Sequence, residues 1–427
     1  MERTLEQIYG EDGKYRKRYE HLFARFQEEW KGDMAEFFSA PGRTEIIGNH
    51  TDHNGGKVIA SSIDMDTICA AYPNGSDRVN IISEGYEEVV MVDLFPKEKG
   101  EIKDPDINPT KALLQGLFEG IRNLGYQVSG FDAYISTDVI RAAGVSSSAS
   151  LEMLLCAVVN FFFNKNAMSC LDYAKAGQYA ENHYWNKASG LMDQLACAVG
   201  GPVLFDFSKD AVYEKLDFSL DDMGYDLIIV NTGKGHADLS KEYSEIPSEM
   251  GAVAERLGVK QLSEVSFTKL LDHMQNVITN LHNDRAILRA LHFYEENRRV
   301  EEVAQAIRNK EEEKLLALMQ ESGSSSWKWL QNCYVAEKNT GSESFYPAWK
   351  EQKIPLVLAL TEIFIRQTGR GCCRVHGGGF AGVIQAVIPK EQTPKYMEFI
   401  ESVVDKDRIY KMRLRKDGAV RVLLKRQ

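Results

Sequence analysis

Residues 41–52 gather side chains that could hold a sugar and an anion. The segment reads Pro-Gly-Arg-Thr-Glu-Ile-Ile-Gly-Asn-His-Thr-Asp, so a guanidinium, an imidazole and a carboxylate lie in and before one polar turn. These groups supply the donors and acceptors that a polyhydroxyl ligand needs, and a guanidinium also neutralises anionic oxygens. Turns are polar for local reasons too, so a plain polar hairpin is the alternative interpretation.

Residues 144–150, Gly-Val-Ser-Ser-Ser-Ala-Ser, precede an almost wholly apolar stretch. Backbone N–H groups of such a turn, aligned with a helix N-terminus and supplemented by hydroxyls, form an anion site suited to phosphates and their metal. Serine also caps helices without binding anything, and a simple cap stays open as an alternative. Three consecutive serines exceed what capping requires, and they favour a phosphate site.

Two carboxylates and a glycine run complete the set. Glu181 and Asp193 can divide between a Mg²⁺ ligand and a group oriented toward a substrate hydroxyl, although a chain with 62 acidic residues supplies such pairs by chance. Residues 377–382, Gly-Gly-Gly-Phe-Ala-Gly, match the pattern G-x-G-x-x-G. Residues 383–388 look like a strand, however, where a dinucleotide site requires a helix. A glycine turn that lets the backbone approach a ligand or another loop is favoured instead.

Both helices and strands must position these segments. In the first half, the patterns predict strands on either side of a polar turn within residues 37–71, a strand over 131–140, and helices over 111–123, 149–163 and 171–183. In the second half, they predict long amphipathic helices between residues 260 and 329, and strands over 225–231, 372–375 and 383–388. Mixed elements in both halves predict an α+β protein with two domains, residues 1–210 and 211–427.

Composition and charge limit the partners and the compartment. The net charge of −11 over 427 residues disfavours nucleic acid and an anionic membrane surface, but it does not exclude small phosphorylated ligands. The longest apolar stretch, residues 153–163, is far shorter than the ~20 residues of a membrane-spanning helix. Seven cysteines without a Cys-x-x-Cys pair indicate neither a disulfide framework nor a zinc ribbon. A cytoplasmic protein is expected.

Taken together and in this order, the segments resemble the galactokinase branch of the GHMP small-molecule kinases. Residues 41–52 look like the family's sugar segment, residues 144–152 like its Gly-Leu-Ser-Ser-Ser-Ala-Ser-Leu-Glu phosphate loop, and residues 377–382 like its Gly-Gly-Gly-Phe-Gly-Gly turn. Residues 190–194, Gly-Leu-Met-Asp-Gln, resemble the family's Gly-Ile-Met-Asp-Gln. The resemblance implies the two-domain GHMP kinase fold, with an S5-like N-terminal domain and a ferredoxin-like C-terminal domain whose last strand can return to the first domain.

The resemblance also implies an activity, which is ATP- and Mg²⁺-dependent phosphorylation of the anomeric hydroxyl of galactose. Asp193 is implied to abstract or orient the hydroxyl proton, and Arg43 to keep Asp193 ionised and stabilise the transferring phosphoryl group. Ser148 and Glu181 are implied to bind Mg²⁺. The implied sugar contacts are Arg43, Asn49, His50, Asp52, Asp193 and Tyr243, and the implied ATP contacts are Gly144, Ser146, Ser147, Ser148, Ala149 and Ser150. The expected partners are the sugar and ATP. The protein is expected to be a monomer.

The sequence departs from the family at a few positions. Asn49 stands where the family usually has Glu, and His53 where it usually has Tyr. A neutral amide removes repulsion toward a negatively charged C6, so a hexuronate such as galacturonate is an alternative substrate. Residues 140–143, Ile-Arg-Ala-Ala, replace Pro-Leu-Gly-Gly, and Thr110 lies where a nucleotide-side Trp is expected. A non-catalytic sugar sensor is a further alternative, but such relatives typically lose residues of the serine loop, which is complete here.

Overall fold

The computed structural model describes the chain except residues 1, 11–12, 33, 87, 96–107, 141–143, 186, 188, 210, 234–239, 335–351, 381 and 425–427. Its strands are β1 (Glu2–Thr4), β2 (Glu36–Ile47), β3 (Lys57–Pro73), β4 (Arg78–Ser83), β5 (Val90–Asp93), β6 (Phe131–Thr137), β7 (Pro202–Asp206), β8 (Val212–Lys215), β9 (Tyr225–Asn231), β10 (Cys372–Val375), β11 (Val383–Pro389), β12 (Ile409–Met412) and β13 (Val420–Leu423). Its helices are α1 (Leu5–Tyr9), α2 (Gly13–Trp30), α3 (Pro109–Asn123), α4 (Ser147–Asn164), α5 (Cys170–Tyr184), α6 (Met192–Val199), α7 (Ser240–Arg256), α8 (Phe267–Asp272), α9 (Met274–Leu281), α10 (Asp284–Asn309), α11 (Glu312–Ser325), α12 (Lys353–Thr368) and α13 (Thr393–Ile400).

Nine strands form the first sheet, in the order β1-β13-β2-β3-β6-β4-β5, with β7 beside β3 and β8 beside β7. The long strand β3 pairs with β2 along one edge, and along its other edge it pairs first with β7 and then with β6. Both β8 and β13 belong to this sheet although they follow residue 210 in the chain. The division at residues 210 and 211 stays a prediction.

Four antiparallel strands form the second sheet, in the order β10-β11-β9-β12. Helices α7 to α12 lie between β9 and β10 in the chain, and α13 lies between β11 and β12. This β-α-β-β-α-β connectivity is the ferredoxin-like arrangement, with additional helices inserted after the first strand. The predicted α+β class and the ferredoxin-like second sheet are therefore confirmed.

One hydrophobic cluster contains residues of both sheets. Helices α3, α4 and α5 cover one face of the first sheet, and α2 covers part of its other face. Ile46 and Ile59 of the first sheet pack in the same cluster as Leu227 and Ile229 of the second, together with residues of α10 and α11. Burying one such side chain contributes about 2 kcal/mol. The segments that could do chemistry lie at this junction of the two sheets.

Helix α4 carries apolar residues on all sides, and most of them are buried. Its residues Leu154, Leu155, Val158 and Val159 are fully inaccessible to solvent, and they pack between the first sheet and α5. Within the part of the chain that the structure describes, α4 alone is long and apolar enough to cross a membrane, by length and composition only. The burial of α4 accounts for its apolar composition. The N-terminus of α4 points toward the junction of the two sheets.

Candidate active site

Asp193 lies in the first turn of α6 and is held by Arg43 from β2. Arg43 Nε and Nη2 both lie 2.8 Å from Asp193 Oδ1, and the hydroxyl of Ser146 donates to Asp193 Oδ2. Burial alone raises the pKa of a carboxyl, but attraction to Arg43 and then to Lys187 outweighs it and lowers the pKa of Asp193. Asp193 is therefore a carboxylate at neutral pH.

Ser146 connects the phosphate loop to Asp193. This residue immediately precedes α4, and its backbone has a φ of +58°, a left-handed conformation that costs a non-glycine residue about 1 kcal/mol or more. A serine at this position ordinarily caps its helix, but Ser146 makes no capping bond because its hydroxyl is donated to Asp193. The first N–H groups of α4 are thus left without this cap, an arrangement suited to binding a phosphate.

Arg43 is fixed by the phosphate loop as well as by Asp193. Its backbone N–H donates to the carbonyl of Val145 at 3.1 Å, and its Nη1 donates to the carbonyl of Gly144. Gly42 permits this approach, since a Cβ at that position would lie 2.7 Å from the Val145 oxygen. The guanidinium therefore lies between the loop and the carboxylate, where an anionic oxygen could meet it.

Glu181, near the C-terminal end of α5, accepts hydrogen bonds from three side chains. Ser148 Oγ donates to Glu181 Oε1 at 2.9 Å, and the hydroxyl of Ser189 donates to Oε2. The ammonium group of Lys187 lies 2.9 Å from Oε1 and 3.0 Å from Oε2. The carboxylate is almost completely buried, so it depends on these partners for the stabilisation that water would otherwise give.

The residues predicted to bind Mg²⁺ meet in the structure. Ser148 and Glu181 supply oxygen donors at one point, as Mg²⁺ prefers, and this ion usually combines one or two carboxylates with water and substrate phosphates. No group of three or more His, Cys, Asp or Glu side chains that could hold a metal ion lies among the described residues. Bound Mg²⁺ would neutralise charge on the phosphate oxygens.

The carbonyls of residues 377–379 hold the polar turn of the first segment in place. In order, they accept hydrogen bonds from Asn49 Nδ2 at 2.8 Å, from His50 Nε2 at 3.0 Å and from the Tyr243 hydroxyl at 2.8 Å. The glycine turn, residues 377–382, lies between strands β10 and β11, as predicted. Ala381 lies outside the described residues, as do residues 141–143 of the atypical loop and residues 236–239 before Tyr243.

His50, Asp52 and Tyr243 lie together at this turn. Burial, followed by repulsion from His53, lowers the pKa of His50 to about 3, so its imidazole is neutral and donates from Nε2. The Asp52 carboxylate packs against the backbone of Gly190, three residues before Asp193. Asp52 is thus placed next to the segment that carries Asp193.

The side chain of Asn49 is directed away from any open space. It is completely buried, and its amide donates to both oxygens of Glu45 at 3.2 Å and to Gly377. Its oxygen accepts from Asn332 at 2.8 Å and from Ser326 at 3.3 Å. Protein groups therefore use all the hydrogen-bonding capacity of this amide. The expected contact between the Asn49 side chain and the sugar is corrected accordingly, since the amide joins the turn to distant segments.

Two of the expected ATP contacts are part of the core. Ala149 is buried. The hydroxyl oxygen of Ser150 lies 2.8 Å from both Ala40 O and Thr67 Oγ1, within hydrogen-bonding distance of each. These bonds attach α4 to β2 and β3. The side chains of Ala149 and Ser150 therefore face the sheet, and neither side chain is placed for a nucleotide.

Helix α10 contributes supporting residues that sequence reasoning did not identify. Glu296 Oε1 accepts from the backbone N–H groups of Gly48 and Asn49 at 3.0 and 3.3 Å, and His292 Nε2 donates to the carbonyl of Asn49 at 2.9 Å. Burial would raise the pKa of Glu296, but attraction to His292 and then to Arg299 lowers it to about 2. The signal in the sequence is their spacing, because positions 292, 296 and 299 lie on one face of the helix.

Comparisons with known proteins agree with this geometry. A galactokinase galactose-binding signature matches residues 24–73, and a GHMP kinase N-terminal domain matches residues 111–201. The galactokinase of Limosilactobacillus fermentum is 28% identical over 378 residues, which span 87% of this chain and 90% of that protein. The galactokinase of Lactococcus lactis subsp. lactis is 32% identical over 269 residues, which span 62% of this chain and 65% of that protein.

Solved structures show the same fold. The structure of Lactococcus lactis galactokinase complexed with galactose superposes with a TM-score of 0.79 at 24% identity, and the alignment covers 94% of this chain and 99% of that one. Methanococcus jannaschii mevalonate kinase superposes with a TM-score of 0.59 at 17% identity, covering 90% of this chain and 99% of that one. The fold described above is therefore shared with kinases that differ in their named substrates.

Proposed function

Because this chain belongs to the galactokinase branch of the GHMP kinases, we propose that it transfers the γ-phosphoryl group of ATP to the anomeric hydroxyl of galactose. One observation carries the proposal: Arg43 and Ser146 both bind Asp193, so the phosphate loop and the carboxylate form one unit. A hydroxyl placed against Asp193 would lie beside the N-terminus of α4. The acceptor and the phosphates would thus meet in one place.

In the proposed reaction, the anomeric oxygen attacks the γ-phosphorus and forms a new O–P bond. The bond from that phosphorus to the β,γ-bridging oxygen breaks, and ADP leaves. Asp193 orients the hydroxyl and accepts its proton late in the transfer, since a lowered pKa makes Asp193 a weak base. Arg43 stabilises charge on the transferring oxygens. This division suits phosphoryl transfer, in which positioning and electrostatic stabilisation outweigh covalent catalysis.

His50, Asp52 and Tyr243 are proposed to contact the sugar, and Gly144, Ser146, Ser147 and Ser148 the nucleotide, with Mg²⁺ held at Ser148 and Glu181. A hexuronate acceptor is an alternative because the neutral amide of Asn49 removes repulsion toward a charged C6. This effect requires the amide to face the sugar, and the amide is buried among protein groups. Galactose is therefore the proposed acceptor.

A substrate panel tests the proposal. ADP release is coupled to NADH oxidation and measured with galactose, N-acetylgalactosamine, galacturonate and glucuronate, with Asp193→Ala as the inactive control. Galactose is expected to support turnover at least tenfold faster than the other sugars. Turnover of galacturonate alone would assign a hexuronate kinase. Binding of ATP and galactose without any turnover would assign a sensor.

A monomeric, cytoplasmic enzyme is the proposed form of the protein. All seven cysteines are unpaired, which suits a reducing compartment. Sedimentation velocity with and without galactose and ATP measures the oligomeric state, and a mass near the 48.2 kDa of one chain is expected.

A further inference from the structure

Lys187 contributes a second cation to the phosphate side of the site. Its side chain is 49% exposed, whereas that of Glu181 is 1% exposed, so the ammonium covers a buried carboxylate from the solvent side. Lys187 also acts on Asp193, where it is the largest favourable influence on the carboxylate after Arg43. The two carboxylates that the proposed reaction uses therefore share this lysine, although no expectation from the sequence included it.

The carboxylate of Glu181 does not need Lys187 for hydrogen bonding alone. Ser148 donates to one of its oxygens and Ser189 to the other. What Lys187 adds is positive charge at the point where a divalent cation would bind. A long, flexible stem and a half-exposed ammonium allow this group to move when a competing cation arrives.

We propose that Lys187 is a mobile cation that neutralises Glu181 in the nucleotide-free enzyme and contacts the γ-phosphoryl group of ATP once a metal has taken its place. This inference rests on the proposed function. In the loaded site, Arg43 and Lys187 approach the transferring oxygens from different segments, the strand β2 and the stretch after α5. Negative charge that develops during transfer is then stabilised by two side chains. No covalent step involves Lys187.

The chain offers a matched control for this lysine. Lys411 Nζ lies 2.9 Å from Asp226 Oδ2, and their side chains are 49% and 3% exposed, almost the same values as for Lys187 and Glu181. The pair lies on β12 and β9 of the second sheet. Lys411→Met thus removes an equivalent ammonium from an equivalent buried carboxylate, without touching the site.

The test measures ATP affinity by calorimetry in EDTA and in Mg²⁺, together with kcat and the Mg²⁺ concentration for half-maximal rate. For Lys187→Met, we expect metal-free ATP binding to weaken about tenfold, because the uncovered Glu181 carboxylate then repels the phosphates. In Mg²⁺, kcat should fall about a hundredfold, because one charged contact to the transferring group is lost. The Mg²⁺ requirement should fall at least threefold, since no ammonium competes for Glu181. Lys187→Arg should keep most of the activity, and Lys411→Met should change none of these quantities by more than twofold.

A second pair of variants covers a folding failure. Removing Lys187 alone leaves the buried Glu181 carboxylate without its cation, which could destabilise the fold. Glu181→Gln and Glu181→Gln/Lys187→Met are therefore compared in EDTA, because neither variant carries the Glu181 charge. The double variant should bind ATP at least fivefold more weakly than the single one. Equal affinities, or a Lys187→Met enzyme with unchanged kcat and Mg²⁺ requirement, overturn the inference and leave the proposed kinase intact. A wild type that binds ATP without phosphorylating galactose contradicts the proposed function instead.

Discussion

The backbone of Gly190 packs directly against the carboxylate of Asp52. A Cβ at Gly190 would lie 1.9 Å from Asp52 Oδ2, a distance that no pair of real atoms can adopt without a shift. Asp52 belongs to the polar turn after β2, whereas Gly190 lies three residues before Asp193. The absence of a side chain at one position thus sets where the carboxylate at the other can lie, and it joins the sugar side of the site to the catalytic side.

Substituting this glycine tests whether Asp52 binds the sugar. Gly190→Ala should displace Asp52 and raise the galactose KM about tenfold, since one hydrogen bond to a charged group is lost. The ATP KM should change less than threefold. Gly251→Ala is the control, because Gly251 lies within α7 with open space around its Cα, and it should leave both constants unchanged. A galactose KM that stays at the wild-type value would place the sugar elsewhere.

The pH dependence of the rate tests the pairing of Arg43 with Asp193. Because Arg43 is the largest influence that lowers the pKa of Asp193, Arg43→Met should raise that pKa and move the acidic limb of kcat/KM to higher pH. The rate at the optimum should also fall about a hundredfold or more. Asp193→Asn has no carboxyl to titrate, so its residual rate should lack this limb. If wild type and Arg43→Met share the same acidic limb, Asp193 is not the titrating group.

Ser146 combines backbone strain with a catalytic contact, and two substitutions separate these effects. Ser146→Gly relieves the left-handed backbone at φ +58° but removes the hydroxyl, whereas Ser146→Ala removes the hydroxyl and keeps the strain. Urea unfolding should show the glycine variant to be more stable than the alanine variant by about 1 kcal/mol. Both should lose about tenfold in kcat because Asp193 loses a hydrogen bond. Equal stabilities would contradict the left-handed geometry.

Glu296 should stabilise the fold in a pH-dependent way. Its pKa falls from the ordinary 4.5 to about 2 in the folded protein, so it contributes stability that is complete above pH 4.5 and is lost as the pH falls through about 2. The shift corresponds to about 3 kcal/mol. The difference in unfolding free energy between wild type and Glu296→Gln should be largest at neutral pH and shrink in acid. A difference independent of pH would contradict the assignment.

The sequence predicted the segments that carry candidate functional residues, and most of the helices and strands around them. The strand β9 begins and ends at the predicted residues, and the predicted helices over 111–123, 149–163 and 171–183 correspond to α3, α4 and α5 with ends shifted by at most two residues. Local patterns sufficed there, because apolar periodicity and turn residues act over a few neighbouring positions. The glycine turn at residues 377–382 was also assigned correctly, since the strand pattern after it excluded a dinucleotide fold.

Orientation within the segments could not be predicted in the same way. Ser150 lies in the serine run but bonds to β2 and β3, and Asn49 lies in the polar turn but bonds to Asn332, far along the chain. Neighbouring positions of a motif point in different directions, and only the partner element decides which direction is buried. The contacts of Lys187 with Glu181 follow the same rule, because they depend on how the chain turns after α5.

Residue types and their order along the chain specify which functional groups are available: a guanidinium and an imidazole, a serine loop before an apolar helix, a carboxylate in a short motif, and a glycine turn. These depend on residue type and local spacing. The tertiary structure decided which of them share one site, that Arg43 and Ser146 meet on Asp193, and that Glu296 supports the polar turn from a distant helix. Such pairings join residues that are widely separated along the chain, so they form only when the chain has folded.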